Sequence, residues 1–259
     1  EADLRLHLGK QTAKQIALLD LLHLAWPDAE LDAYLDNLVN DGAQIVIMDT
    51  IDQNHLLAIG RLIWQRRNEQ PVFMAASSGV EYALVAHWQQ IGLAHKPPPP
   101  ESPGPVDQLV IISGSAAPQT AAQITWAIDN GFVPIRLDGP RLVDPDTADS
   151  AREAVITAAL AELGAGRSVV MFSAHGPDDP AIAATNNHLK RLGLDPRSVG
   201  ARLGSQQGRI MRALLEKTGL TRAVVAGGDT CGHASRQLGI YALEVIIPVA
   251  PGSPLCRAR

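Results

Sequence analysis

Apolar positions recur along the chain in two rhythms. In the first hundred residues, Leu4, Leu8, Ile16, Leu19 and Leu22 are spaced as on helices. Leu31, Leu35 and Leu38 share one face of a helix expected over 29–40. The second rhythm is the short unbroken apolar run. IVIM at 45–48 and PVFMAA at 71–76 read as buried strands. Asp52 is placed to cap a helix carrying Leu56, Ile59 and Ile63, and Ser77-Ser78-Gly79 opens another that runs to about Gln90.

Beyond residue 108 the two rhythms alternate. Strands are expected at 109–113, 132–137, 168–173, 223–225 and 243–249. Helices are expected from Pro118 to a stop at Asn130-Gly131, over 147–163 with Gly164 closing it, near 197–217, and after Gly227-Gly228 up to Gly239. Strand–helix alternation implies a parallel sheet with helices on both faces. The fold class is therefore α/β: two α/β domains with mainly parallel sheets flanked by helices. The boundary falls in AHKPPPPESPGPVD, 94–107, since four consecutive prolines fit neither a helix nor a central strand. This gives a first domain over 1–93, a Pro-rich linker over 94–107 and a second domain over 108–259.

Composition narrows the function classes. Apolar residues make up 46% of the 259 and aromatics 4%, which suits an α/β core. A net charge of -5 gives no footprint for nucleic acid. Two cysteines, Cys231 and Cys256, form neither a disulfide framework nor a zinc spacing, so a reducing, cytoplasmic setting is expected and no metal site is read from the chain. No apolar run reaches the length of a membrane span, so no membrane partner is expected. The start EADLRLHLGK has neither an initiator Met nor a signal-peptide layout and reads as a chain entered midway.

Candidate chemistry lies where strands hand over to helices. Small-residue turns occur at Ser77-Ser78-Gly79, Ser113-Gly114-Ser115 and Gly227-Gly228-Asp229-Thr230, with a less regular one at Ser173-Ala174-His175-Gly176. In an open parallel sheet ligands bind beyond the carboxyl ends of the strands, and a helix starting there turns free N–H groups and a positive dipole end toward an anion. The same residues also serve plain capping and turn geometry. No P-loop and no dinucleotide G-x-G-x-x-G is present. Asp229 reads first as a helix cap, and otherwise as a residue that holds magnesium or orients a nucleotide. Glu81 suits the start of a helix. His175, His233 and Cys231 read as ordinary polar or small buried residues, while Arg136 and Arg236 suit either a phosphate or the surface.

Three separated motifs, SGSAAPQTAAQI at 113–124, VVAGGDTCG at 224–232 and IPVAPGSP at 247–254, resemble the carboxyl-terminal nucleotide-binding domain of the four-carbon acid sugar kinase family. MDTIDQNHL at 48–56 and AASSGVEYAL at 75–84 resemble the latter part of that family's substrate-binding domain. The resemblance implies a two-domain α/β protein with a ligand cleft between the domains. It implies an ATP-dependent kinase, with Mg2+, that phosphorylates a hydroxyl of a tetronate or 3-oxo-tetronate, and it leaves room for a homo-oligomer. Carried over by position, Ser115, Gly227, Gly228, Asp229 and Thr230 contact ATP, and Ser78 and Gly79 face the sugar acid. The family's amino-terminal acidic motif and a later glycine-rich stretch have no counterpart within 1–259, so the catalytic base is not named and a truncated, poorly active chain is expected. The alternative reading is a non-catalytic module that binds a small anionic metabolite or nucleotide.

Overall fold

The structure, a computed structural model, describes residues 2–68, 71–250 and 252–259. Glu1, Glu69, Gln70 and Pro251 lie outside the described residues, Pro251 within the IPVAPGSP motif. The chain forms two compact units, Glu1–Pro99 and Pro100–Arg259. The division falls inside the Pro-rich segment. The far end of that segment is tied to the second unit, because the Arg222 guanidinium donates to the carbonyls of Gly104 at 2.9 Å and Pro103 at 3.3 Å.

The first unit comprises α1 (Leu4–Gly9), β1 (Ile16–Leu19), α2 (Leu21–Leu24), α3 (Asp28–Asn40), β2 (Ile45–Met48), α4 (Gln53–Arg66) and α5 (Gly79–Gln90). β1 and β2 pair in parallel, from Ile16 opposite Ile45 to Leu19 opposite Met48. The helical spacing that ran through Ile16 and Leu19 is thus corrected to a strand. Asp20 supplies the reason: its backbone is extended and its carboxylate accepts from the amides of Leu22 and His23, so the helix starts after it and cannot reach back. Asp52 caps α4 in the same way.

The strand expected at 71–76 does not form. The sheet of this unit, among the described residues, is β1–β2, so the run finds no ladder, and Phe73 is 93% exposed. Leu19, Leu24, Leu31, Leu35, Ile59, Leu62 and Ala83 make the core. There α4 presses on α5 so closely that a Cβ on Gly60 would overlap the carbonyl of Ala83. Buried Arg61 bridges α4 to α3 through Asp32 at 2.8 Å and Asp28 at 3.1 Å.

The second unit comprises β3 (Val110–Ser113), α6 (Pro118–Asp129), β4 (Val133–Arg136), α7 (Gly139–Val143), α8 (Ala148–Gly164), β5 (Val169–Phe172), α9 (Pro180–Arg191), α10 (Val199–Thr218), β6 (Ala223–Ala226), α11 (Gly228–Leu238), β7 (Leu243–Ala250) and β8 (Ser253–Ala258). β4, β5, β3 and β6 form, in that order, a four-stranded sheet that is parallel throughout. Phe172 stands abreast of Ser113 and Arg136, and Ser113 abreast of Ala226, so the four strands end level. Helices α7, α8 and α10 cover one face over Val110, Ile112 and Met171, and α6 covers the other over Val170 and Phe172.

Three features depart from expectation. The polar stretch before α10 contains α9, started by Pro180 and capped by Asp179; only Thr185 and Leu189 are buried, too few to mark a helical face in the sequence. The run at 243–249 does not join the parallel sheet. It pairs antiparallel with β8, since the chain reverses after Ala250 and meets itself in a ladder from Leu243–Ala258 to Ala250–Ser253. Gly164 is helical, and the left-handed residue that ends α8 is Gly166, with φ +81.

Candidate functional site

The level ends of β3 and β6 set two turns side by side. Gly114 donates its amide to Ala226 O at 3.0 Å, one bond beyond the strand ladder. Gly227 follows with φ +117, a backbone that side chains rarely adopt. A Cβ on Gly227 would lie 3.2 Å from the Ser115 amide nitrogen, and a Cβ on Gly114 would lie 2.0 Å from Thr230 Oγ1. Both glycines are therefore required by the approach of the neighbouring turn, independent of any ligand.

Helix starts surround these turns. Ala117, Ser198 and Gly227 stand at the N-cap positions of α6, α10 and α11, and no side chain caps any of the three. The first N–H groups of α11 are left for water or an anion, whereas the Val199 amide of α10 donates to Pro196 O and α6 opens with Pro118, which has no N–H. Asp229 does not cap α11: it lies inside the first turn, exposed, with its carboxylate turned toward the first turn of α10, where a Cβ on Gly200 would be 3.3 Å from Oδ2. The cap reading of Asp229 is corrected because Gly227 occupies the capping position. Gly228 is exposed with nothing within 4 Å of where a Cβ would stand, so this side of the turn is open.

Ser115 is already engaged. Its Oγ accepts from the Ala117 amide at 3.2 Å and meets Thr120 Oγ1 at 2.9 Å. Ser113 Oγ takes the Ser115 amide at 3.3 Å. Thr230 is 6% exposed. The four positions Ser115, Gly227, Gly228 and Thr230 are thus brought together, with Asp229 on their rim.

The turn after β5 is organised differently. Asp179 accepts from Arg136 at 2.6 Å and from the amides of His175 at 2.6 Å and Ala181 at 2.9 Å. The Arg136 guanidinium holds its carboxyl down to about 2. Arg136 is therefore spent on Asp179 and on the Phe172 ring. His175 meets Thr125 Oγ1 at 3.0 Å. Arg236 lies in the last turn of α11, at the end away from Gly227. His233 packs on Gly204, and burial pushes the Cys231 thiol up.

In the first unit, Ser78 and Gly79 start α5, with the Gly79 amide on Ser77 Oγ at 3.3 Å. Among the described residues no group of three or more His, Cys, Asp or Glu side chains suits a metal ion. A cation carried in on a nucleotide needs no such cage, because Mg2+ keeps its waters and takes one or two carboxylates. Exposed Asp229 fits that need.

Sequence reasoning passed over Gln207. It lies in α10, is fully buried, and donates Nε2 to Ser113 O at 3.0 Å, directly beneath the β3 turn. The signal available was Gly200, Gly204 and Gly208, a four-residue glycine repeat on one face of α10 that marks a close helix contact.

An α/β protein with uncapped helix starts gathered at the carboxyl edge of a parallel sheet belongs to the broad class of anion- and nucleotide-binding folds. Comparison with known proteins narrows this class. Residues 110–259 match a nucleotide-binding C-terminal domain and residues 1–84 a sugar-binding N-terminal domain. The chain belongs to the four-carbon acid sugar kinase family. It is 43% identical over its whole length to 3-oxo-isoapionate kinase of Paraburkholderia graminis, of which it covers 54%. It is 27% identical to 3-oxo-tetronate kinase of Cupriavidus necator over 84% of this chain and 46% of that one. The chain thus spans about half the length of the curated relatives it matches. A solved Salmonella typhimurium LT2 protein shares the fold with a TM-score of 0.64 at 24% identity, over 98% of this chain and 56% of that one. Among the described residues no helix is long and apolar enough to cross a membrane.

Proposed function

We propose that this chain is part of an ATP-dependent kinase that phosphorylates a hydroxyl of a small sugar acid, of the tetronate, 3-oxo-tetronate or 3-oxo-isoapionate type. The observation that carries the reading is the pairing of the Ser113–Ser115 and Gly227–Thr230 turns at the level ends of β3 and β6, with uncapped helix starts beside them. The amides of Gly228, Asp229 and Thr230, with Ser115 beside them, hold the phosphates, open Gly228 admits them to the backbone, and Asp229 faces the cation. Mg2+, when bound with the nucleotide, neutralises charge on the phosphate oxygens. In this reading Ser78 and Gly79 face the sugar acid, supported by their lying within the span that matches a sugar-binding N-terminal domain. Phosphoryl transfer needs positioning and charge stabilisation more than covalent chemistry, which suits a site built from amides.

The test is direct. The full-length protein is given ATP, Mg2+ and a panel of tetronates, 3-oxo-tetronates and 3-oxo-isoapionate, and ADP is measured. ADP formation that depends on a sugar acid and is lost in Gly228→Val supports the reading. ATP binding with no ADP for any acceptor points instead to a non-catalytic nucleotide-binding module.

A further inference from the structure

Beneath the two turns lies a buried acceptor without a partner, with the hydroxyl of a largely buried threonine beside it. Gln207 is 0% exposed. Its Nε2 donates to Ser113 O at 3.0 Å, which fixes the amide's orientation, since a carbonyl accepts only from the nitrogen end. Oε1 is then left buried with no hydrogen bond. Thr230, 6% exposed, makes no hydrogen bond through its hydroxyl among the described residues. The two oxygens converge on one side of Gly114: a Cβ there would stand 2.0 Å from Thr230 Oγ1 and 2.9 Å from Gln207 Oε1. Buried polar groups are nearly always paired, so an orphaned Gln207 Oε1 with an unbonded hydroxyl beside it at Gly114 describes a bond waiting to form.

We propose that Gln207 is a positioning residue for the phosphate-binding turns: when phosphate draws the first turn of α11 toward β3, the Thr230 hydroxyl donates to Gln207 Oε1 and locks the two turns together. The inference rests on the nucleotide reading above and changes one part of it. Thr230 meets phosphate through its backbone N–H, and its hydroxyl turns inward. Gln207, bonded at once to Ser113 and Thr230, then fastens α10 to both turns. Gly114 is the gap through which the bond passes, and any side chain there would block it.

The experiment uses the full-length protein and ATP as the probe. ATP affinity is measured by calorimetry, and amide hydrogen exchange over 113–117 and 227–231 is followed with and without ATP. Thr230→Val is expected to weaken ATP binding about tenfold and to abolish the joint slowing of exchange in the two turns, while Thr230→Ser restores both. Gln207→Met, which also removes the bond to Ser113 O, is expected to weaken ATP binding at least as much as Thr230→Val, and the double variant to be no weaker than Gln207→Met alone, because the bond to Thr230 is already gone there. Losses that multiply in the double variant, or full affinity and full protection in Thr230→Val, overturn the proposal. Should Gln207→Met fail to fold, the Thr230→Val and Thr230→Ser pair decides alone. Wild-type protein that binds no ATP overturns the nucleotide reading and this inference together. ATP binding that is lost in Gly228→Val yet intact in Thr230→Val overturns this inference only.

Discussion

Gly208 of α10 lies against Ala234 of α11 so closely that a Cβ on the glycine would stand 2.7 Å from the Ala234 Cα. Gly204, one turn earlier, leaves 2.9 Å to the Cβ of His233, and Gly200 leaves 3.3 Å to the Asp229 carboxylate. The glycine face of α10 therefore sets where α11, and the turn that opens it, can stand.

Replacing Gly208 by Ala brings two opposed effects. Alanine in a helix interior gains about 1 kcal/mol over glycine. Overpacking against a backbone atom that cannot move aside costs about 1–3 kcal/mol. Overpacking wins here, so Gly208→Ala is expected to lower the urea midpoint. Gly232 in α11 is the control: nothing lies within 4 Å of its would-be Cβ, and Gly232→Ala is expected to raise the midpoint.

The adjacent glycines of the β6 turn separate in the same kind of assay. Gly227→Ala forces a side chain onto φ +117 and is expected to cost about 1–3 kcal/mol with no ligand present. Gly228→Val meets open space and is expected to fold. It loses the rise in melting temperature that ATP gives the wild type, because the side chain stands where the phosphate approaches. An equal ATP-induced rise in both proteins would remove Gly228 from the site.

Asp179 gives the second unit a defined acid response. Its folded value of about 2 lies below the unfolded value of about 3.9, so its contribution is fully present above about pH 4 and is lost as pH falls through about 2. Arg136→Ala removes the main cause. The variant is expected to be less stable at pH 6 and to lose less between pH 4 and 2, as read from urea midpoints across that range.

The Cys231 thiol donates to Val225 O at 3.3 Å, and burial raises its pKa. Thiolate is the reacting form. Iodoacetamide at pH 7.5 is expected to modify Cys231 more slowly than it modifies a small free thiol.

Much of the second unit was legible in the sequence because its elements announce themselves locally. VII, VVMF and the residues before Gly227 are short apolar runs, and Pro118 marks a helix start without tertiary help. Gly227 was readable as a turn glycine, but the reason it is glycine, contact with the Ser115 amide, depends on which strands are neighbours. Gln207 was hidden for the same reason, since its partner Ser113 lies far away in the chain. In the first unit, IALL at 16–19 carried a spacing that fits helix and strand alike, and only Asp20 decides between them. The segment at 71–76 has a strand's composition, yet composition alone supplies no partner strand.

The level finish of Ser113, Arg136, Phe172 and Ala226 constrains length more tightly than it constrains identity. Exchanging Val225 for Ile keeps the edge even. One inserted residue in β6 advances Gly227 by about 3.3 Å and turns every following side chain to the opposite face of the sheet. Natural variation in these strands is therefore expected to run through substitution, with insertions and deletions confined to the segments that reach back from each helix to the next strand.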